Sequence, residues 1–318
     1  MHMKYCFALQ VFFLLSATAS CQKARPEFFT REIYGMTDND SYLLQRKDGY
    51  YTNGVYFTYT WLPGKNSKKR KLTGVEIGQA IYTDRTRKIL NRSQIDRPFT
   101  GYLYGKYKET WFGNCDGVLQ GSIALGTIGK NSGGEWLQKH YHSIIHIYSF
   151  YGWEYQLKNA VGVDANLTWS PVILPEKEGT KFTLKPVMAA NLGTTFTNLN
   201  LGVIWQAGFF EKNQQSALWN ARLNSKGSAV RRHFELFCYY HPQLIYQVYN
   251  ATVQGGLFLN DKGPLTSDIY HWMYQHKLAV VYAERRFTVG LAAVFQTKEA
   301  TIQTAFQRYG SLSLGYRF

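Results

Sequence analysis

The chain has 318 residues, and its 36 Lys and Arg against 21 Asp and Glu give a formal charge of +15. Aromatics make up 16% of it, too many for a disordered chain that buries nothing. A mean hydropathy of −0.31 excludes a bundle of membrane-crossing helices, each of which needs about 20 consecutive apolar residues. A membrane β-barrel stays open, because its apolar residues alternate with polar ones and cancel in such averages.

Met1 to Ser20 reads as a secretory signal peptide. Lys4 supplies the positive start, Tyr5 to Leu15 is mostly apolar, and Ala17-Thr18-Ala19 has the small residues of a cleavage site. Gln10 interrupts a run already too short to span a bilayer, which argues against a retained anchor. Cys21 follows directly and would allow lipoprotein processing, although Thr18 stands where a lipobox usually has leucine. Residues 21–318 then form one domain, since no composition shift, low-complexity stretch or internal repeat divides them. Cys21, Cys115 and Cys238 do not make a disulfide framework, although Cys115 and Cys238 could pair in an oxidising compartment.

Period-two alternation then runs through the chain. In Tyr51–Trp61 the apolar set is Val55, Phe57, Tyr59 and Trp61, against Thr52, Gly54, Thr58 and Thr60. Val161–Trp169, Leu199–Phe209 and Phe287–Phe295 repeat the pattern, and the chain ends on Leu312, Leu314, Tyr316 and Phe318. Runs of this length exceed the five or six residues of an ordinary strand and match a tilted bilayer-crossing one. A soluble sandwich would turn the apolar face inward, whereas a barrel turns it to lipid, with girdle aromatics such as Trp61, Trp169 and Trp205 towards the strand ends. The pattern predicts an all-β fold, a transmembrane antiparallel barrel of about 12 strands. Strands are expected near 28–37, 50–61, 72–82, 101–109, 117–127, 159–170, 183–192 and 198–210, with about four more from 231 to 318. One short helix is expected from Trp136 to Tyr148 inside an extracellular loop.

A first strand rising from the periplasm makes 38–50, 83–100 and 128–158 outer loops, with 62–71 and 110–116 as periplasmic turns; periplasmic connections are the short ones in this class. The outer loops hold Asp38-Asn39-Asp40, Asp96-Arg97-Pro98 and the helix with Gln138 and His142, while Thr52 opens the second strand at the same rim on the lumen-facing parity. Gln138 and His142 are four apart and share a helix face. Histidine is the usual general base near neutral pH. Asn39 and Asp40 offer the oxygen ligands that a hard cation prefers. The basic run Lys68-Lys69-Arg70-Lys71 falls at a periplasmic turn, where a cationic girdle facing anionic headgroups explains it better than nucleic acid does.

Several motifs come in a fixed order: Asn39-Asp40, Tyr50-Tyr51-Thr52-Asn53-Gly54, Gln79-Ala80-Ile81-Tyr82-Thr83 and Asp96-Arg97-Pro98-Phe99-Thr100-Gly101-Tyr102. Gly133-Gly134-Glu135-Trp136-Leu137-Gln138, His142 and Gly152-Trp153-Glu154-Tyr155-Gln156-Leu157 follow. In this order they resemble the outer-membrane lipid A 3′-O-deacylase family, most densely over 38–157. The resemblance implies a monomeric 12-stranded outer-membrane enzyme with its site at the extracellular rim, hydrolysing an ester-linked acyl chain of lipid A, the lipid of lipopolysaccharide. It also implies a divalent cation, Ca²⁺. His142 would be the base and Gln138 its helix neighbour; Asn39 and Asp40 would hold the metal or orient the base, and Thr52 would line the oxyanion region. Arg87 or Lys88 would be the family's basic loop residue, and Arg97 suits the substrate's phosphates. A non-catalytic channel and an outer-membrane phospholipase are the competing readings of the same barrel.

Overall fold

A computed structural model describes residues 28–43, 49–64, 70–85, 89, 91–144, 151–174, 179–225 and 234–318. The expected signal peptide, Cys21, Lys68, Lys69, Arg87 and Lys88 lie outside the described residues.

Twelve strands among the described residues close into one antiparallel barrel, each paired with its sequence neighbours and the first with the last. In chain order they are β1 (Arg31–Asn39), β2 (Tyr51–Trp61), β3 (Lys71–Tyr82), β4 (Thr100–Phe112), β5 (Val118–Ile128) and β6 (Ala160–Ser170). β7 (Phe182–Gly193), β8 (Phe196–Phe209), β9 (Phe234–Asn250), β10 (Trp272–Glu284), β11 (Phe287–Gln296) and β12 (Gln307–Arg317) complete it. Helix α1 (Gly134–Ile144) stands in the β5–β6 loop, and the short α2 (Ala251–Gln254) follows β9. Closure follows from the chemistry of a bilayer, where an open sheet edge would leave backbone N–H and C=O groups in hydrocarbon without partners.

The alternating apolar residues point outward, as expected. Phe57 is 57% exposed, Ile123 62% and Val161 71%, values that mark a lipid-facing belt and not a soluble core. The lumen is polar and phenolic, with Tyr34, Tyr56, Tyr104, Glu76, Lys106 and Lys108 around two adjoining cavities of about 430 and 400 Å³. At the seam where β1 meets β12, Glu32 pairs with Arg317 at 2.9 Å, both essentially buried. Arg317 also donates to Thr288 Oγ1 at 2.6 Å and to the Phe287 carbonyl at 2.6 Å. Cys115 and Cys238 are both exposed and unpaired.

One periplasmic connection departs from the short-turn expectation. After β8 the chain does not turn straight back; residues 210–225 fold into the periplasmic mouth. There Ala221 and Leu223 pack with Phe29 and the lumen-facing Leu72, Phe112 and Val118. Arg70 donates to the carbonyls of Ala221, at 2.9 Å, and Leu223. Asn224 and Phe29 exchange hydrogen bonds of 2.8 Å. Buried Glu235 accepts from Arg222 at 2.9 Å, from Ser216 Oγ at 2.9 Å, and from the backbone N–H groups of Glu211 and Ala217 at 2.8 Å. Nothing in the alternation of neighbouring strands signals this segment, because its order comes from contacts distant in sequence.

Candidate active site

Strand register decides on which side of the wall the site lies. On β1 to β4 the lumen-lining residues are even-numbered, including Asp38, Tyr56, Glu76, Tyr82, Tyr104 and Lys106. Asn39 pairs with Asn53, Asn53 with Ile81, and Ile81 with Gly101, so these four form one outward row across four strands. Exposure there would be expected, yet Asn39 is 6% and Ile81 1% exposed. Ile81 is covered from outside by Ile89, Ile95 and Phe99 of the β3–β4 connection and by Leu137 and Trp153 of the β5–β6 loop, which carries α1.

Glycines let that loop come close. A Cβ on Gly101 would run into Ser132 Oγ and sit 3.0 Å from the Gly134 Cα, and one on Gly134 would sit 3.0 Å from the Gly101 Cα. Outward-facing Gln79 donates its amide to the Ser132 carbonyl at 2.5 Å, which satisfies a polar group that would otherwise face lipid. From this anchor the helix crosses the strands. Four residues of helix advance about 6 Å and neighbouring strands lie about 4.8 Å apart, so Gly134, Gln138 and His142 step from β4 over β3 towards β2 and β1. These are the three buried residues of α1, with Gln138 3% and His142 8% exposed. The far end of the helix reaches the turn after β1, where Tyr141 lies within electrostatic range of Tyr42. Burial, with a small contribution from Tyr42, pushes the Tyr141 phenol up.

The turn after β1 is tied to β2. Asn39 Oδ1 accepts from the Ser41 N–H at 2.8 Å and from the Ser41 hydroxyl. Asp40 is buried and its Oδ2 accepts from the Gly49 N–H at 2.5 Å. Thr52 Oγ1 donates to the Gly49 carbonyl at 3.2 Å and lies 2.6 Å from the Thr83 hydroxyl. The lumen-facing parity expected for Thr52 is corrected here. A bulge between Tyr51 and Asn53 inserts Thr52 as an extra residue. Tyr51 takes the lumenal place, donating to Asp38 at 2.8 Å, and Thr52 leaves the alternation to meet Thr83. Gln138 and His142 therefore lie outside the barrel wall on the buried face of the helix, while Asn39, Asp40 and Thr52 sit at the rim between β1 and β2.

Gln138 is held in one orientation. The Trp153 indole N–H donates to its Oε1 at 2.7 Å, and its Nε2 has no partner among the described residues. Trp153 is fixed in turn by Ile81, Ile89, Ile95 and Phe99, with the Phe99 ring 5.6 Å away. Sequence alone assigns Trp153 no role. The signal available was its place inside Gly152-Trp153-Glu154, after a glycine at φ +118 that few other residues tolerate.

Arg97 stands apart from these groups. It is fully buried, pairs with Glu299 at 2.6 Å, and donates to Thr252 Oγ1 at 3.0 Å and to the Pro98 carbonyl at 3.1 Å. Its guanidinium lies 4.1 Å from the centre of the lumenal Tyr82 ring. This corrects the expectation of a phosphate contact: every face of the cation is taken up in joining the outer loops over the lumen. Nearby, Tyr50 donates to Asp96 at 2.6 Å, and Thr304 Oγ1 donates to the same carboxylate oxygen at 2.6 Å. Burial pushes the Asp96 carboxyl up, but hydrogen bonding with the Asp84 side chain and donation from Thr304 and Tyr50 outweigh it and the net direction is down.

The family described as "Outer membrane protein LpxR" matches residues 6–318. Among solved structures, LpxR from Salmonella typhimurium superposes with a TM-score of 0.71 at 18% identity, covering 90% of this chain and 100% of that one. The β domain of the Bordetella autotransporter BrkA reaches a TM-score of 0.48 at 9% identity, covering 92% and 99%. No curated protein sequence matches. With its barrel closed, its helix laid on the outer face of the wall and the family match running almost end to end, the chain belongs to the LpxR family of bacterial outer membrane proteins.

Proposed function

We propose that the chain is a lipid A deacylase that hydrolyses an ester-linked acyl chain, at the 3′ position, by water activated at His142. The observation that carries this reading is the buried pair of Gln138 and His142 between helix and wall, with the Gln138 amide donor fixed and unspent. His142 takes a proton from water, and the hydroxide formed adds to the ester carbonyl. The negative charge that develops on the carbonyl oxygen finds the Nε2 donor of Gln138 beside it, with Thr52 lining the same region. Collapse expels the sugar alkoxide, which regains its proton from His142, leaving a free fatty acid and an alcohol. Because every one of these groups comes from one chain, a monomer suffices. Arg87 or Lys88 contacts the phosphates of the substrate.

The cation belongs to the same proposal. Asn39 and Asp40 are all-oxygen donors of the type Ca²⁺ takes. Among the described residues no group of three or more His, Cys, Asp and Glu stands ready to hold a metal alone. This donor set suits a cation whose shell is completed by water and substrate oxygens. When bound, it would supply Lewis-acid stabilisation of the charge on the ester oxygen. Stripping with EDTA should stop acyl release and added Ca²⁺ should restore it; release that continues after stripping would remove the metal role.

A conducting channel is not favoured, since residues 210–225 fill the periplasmic mouth with a packed apolar cluster. Mass spectrometry of lipid A from cells expressing the chain tests the whole reading. Loss of one ester-linked acyl chain supports it, while unchanged lipid A with altered glycerophospholipid points to a phospholipase.

Trp153→Phe keeps an aromatic ring, though a smaller one, in the buried cluster and removes the N–H that fixes Gln138 Oε1. The rate at saturating substrate should fall about 10–100-fold, as for a small misplacement of a catalytic donor, with KM little changed. A KM effect alone would show that Trp153 does not position Gln138.

A further inference from the structure

The face of α1 turned away from the wall is as specific as the face turned towards it. Gly134, Gln138 and His142 are buried, and the stripe offset from them by two residues, Trp136, His140 and Ile144, lies on the opposite side. Trp136 is 62% and Ile144 74% exposed. The Trp136 indole packs against the His140 ring, centroids 4.3 Å apart and planes tilted by 33°, and His140 Nδ1 lies 2.8 Å from the Trp136 carbonyl, so the indole is held outward and not left to fold back. In water, an exposed Trp and Ile on a short loop helix would be an uncompensated apolar surface.

The helix does not stand in open water. It lies against the lipid side of β3 and β4, over Ile81 and Gly101, and four residues further along β3 the wall exposes Ile77 at 57%, beside Phe57 at 57%. Four tilted strand residues cover only about the diameter of one helix. The outer stripe of α1 is thus continuous with the lipid-facing belt beneath it. Lys139 beside the stripe, paired with Glu135 one turn earlier, puts exposed polar groups next to the apolar face, as in helices that lie in the plane of a membrane surface.

We infer that α1 is an interfacial helix whose Trp136–Ile144 face is embedded in the outer leaflet, at the boundary of headgroups and acyl chains, where it holds open a lateral path from the lipid to the groove between helix and wall. The lipid then needs to lift only its ester into the groove, because its hydrocarbon stays in the leaflet on both sides of the helix. Only the kinetic arm of the test rests on the hydrolase reading.

Two measurements decide it. A nitroxide on Ile144→Cys, in a full-length chain whose other cysteines are serine, should relax more with oxygen than with a water-soluble nickel chelate when the barrel is in phosphatidylethanolamine vesicles containing lipid A. Preference for the nickel chelate would overturn the inference whatever the enzyme does. In the kinetic arm, the Trp136→Ser/Ile144→Ser variant should release acyl chains from those vesicles at least about tenfold more slowly than the wild type, while staying within about twofold of it on lipid A dispersed in detergent. Equal losses in both media, or no loss in either, would show that the face does not dock on the leaflet. A wild-type chain inactive in every medium would remove the hydrolase reading and leave the label to decide the helix.

Discussion

His142→Ala should lower acyl release by about 10²–10⁴-fold, the range carried by a positioned general base. Barrel insertion and heat resistance in gels should be unchanged, because His142 lies on a loop helix outside the wall and contributes nothing to strand pairing. His142→Gln should not restore activity, since an amide accepts no proton at neutral pH. Undiminished deacylation in either variant would remove the proposed base. Gln138→Ala offers the companion result: the base would remain while the donor for the ester oxygen is lost, so the fall should appear in the rate at saturation and not in KM.

Glu299→Ala should destabilise the outer loops by about 3–5 kcal/mol, because it leaves the Arg97 cation buried without its carboxylate. Arg97→Met together with Glu299→Leu should cost much less, since an apolar pair avoids the stranded charge. The readout is the thermal transition of the folded barrel without any lipid substrate. An Arg97 that served chiefly to bind phosphate would behave oppositely: its loss would leave that transition in place and raise KM. A substrate-free transition unmoved by Glu299→Ala would therefore restore the ligand role for Arg97.

Much of the barrel is legible in the sequence because each membrane strand must solve the same problem twice, apolar towards lipid and polar towards the lumen. That is why the first eight expected strands coincide with β1 to β8, and why four more fill 231–318. Loop parity correctly groups Asn39, Asp40, Gln138 and His142 at one end of the barrel. It cannot tell the inside of the wall from the outside. The outward row through Asn39, Asn53, Ile81 and Gly101 becomes visible only when strand register is known. Thr52 misleads for a related reason, since one inserted residue shifts the alternation and sequence alone does not mark a bulge. Arg97 misleads because a buried arginine and a phosphate-binding one look alike until Glu299, two hundred residues later, is placed beside it. The filled periplasmic mouth is hidden in the same way, by partners such as Phe29 and Leu223 far apart in the chain.

The Glu32–Arg317 pair has a consequence for how the chain comes together. Its partners belong to the first strand of the barrel and the last. No hydrogen-bonded seam can form until both the first and the last strand are in place, and the final zipping has to choose one alignment among several spaced by two residues. A slip of two would separate Arg317 from Glu32, from Thr288 and from the Phe287 carbonyl at once. A slip of one would turn its charge towards hydrocarbon. The pair thus works as a key that fits a single notch, rejecting misaligned closures at the last moment of assembly, when backbone hydrogen bonding by itself would accept them.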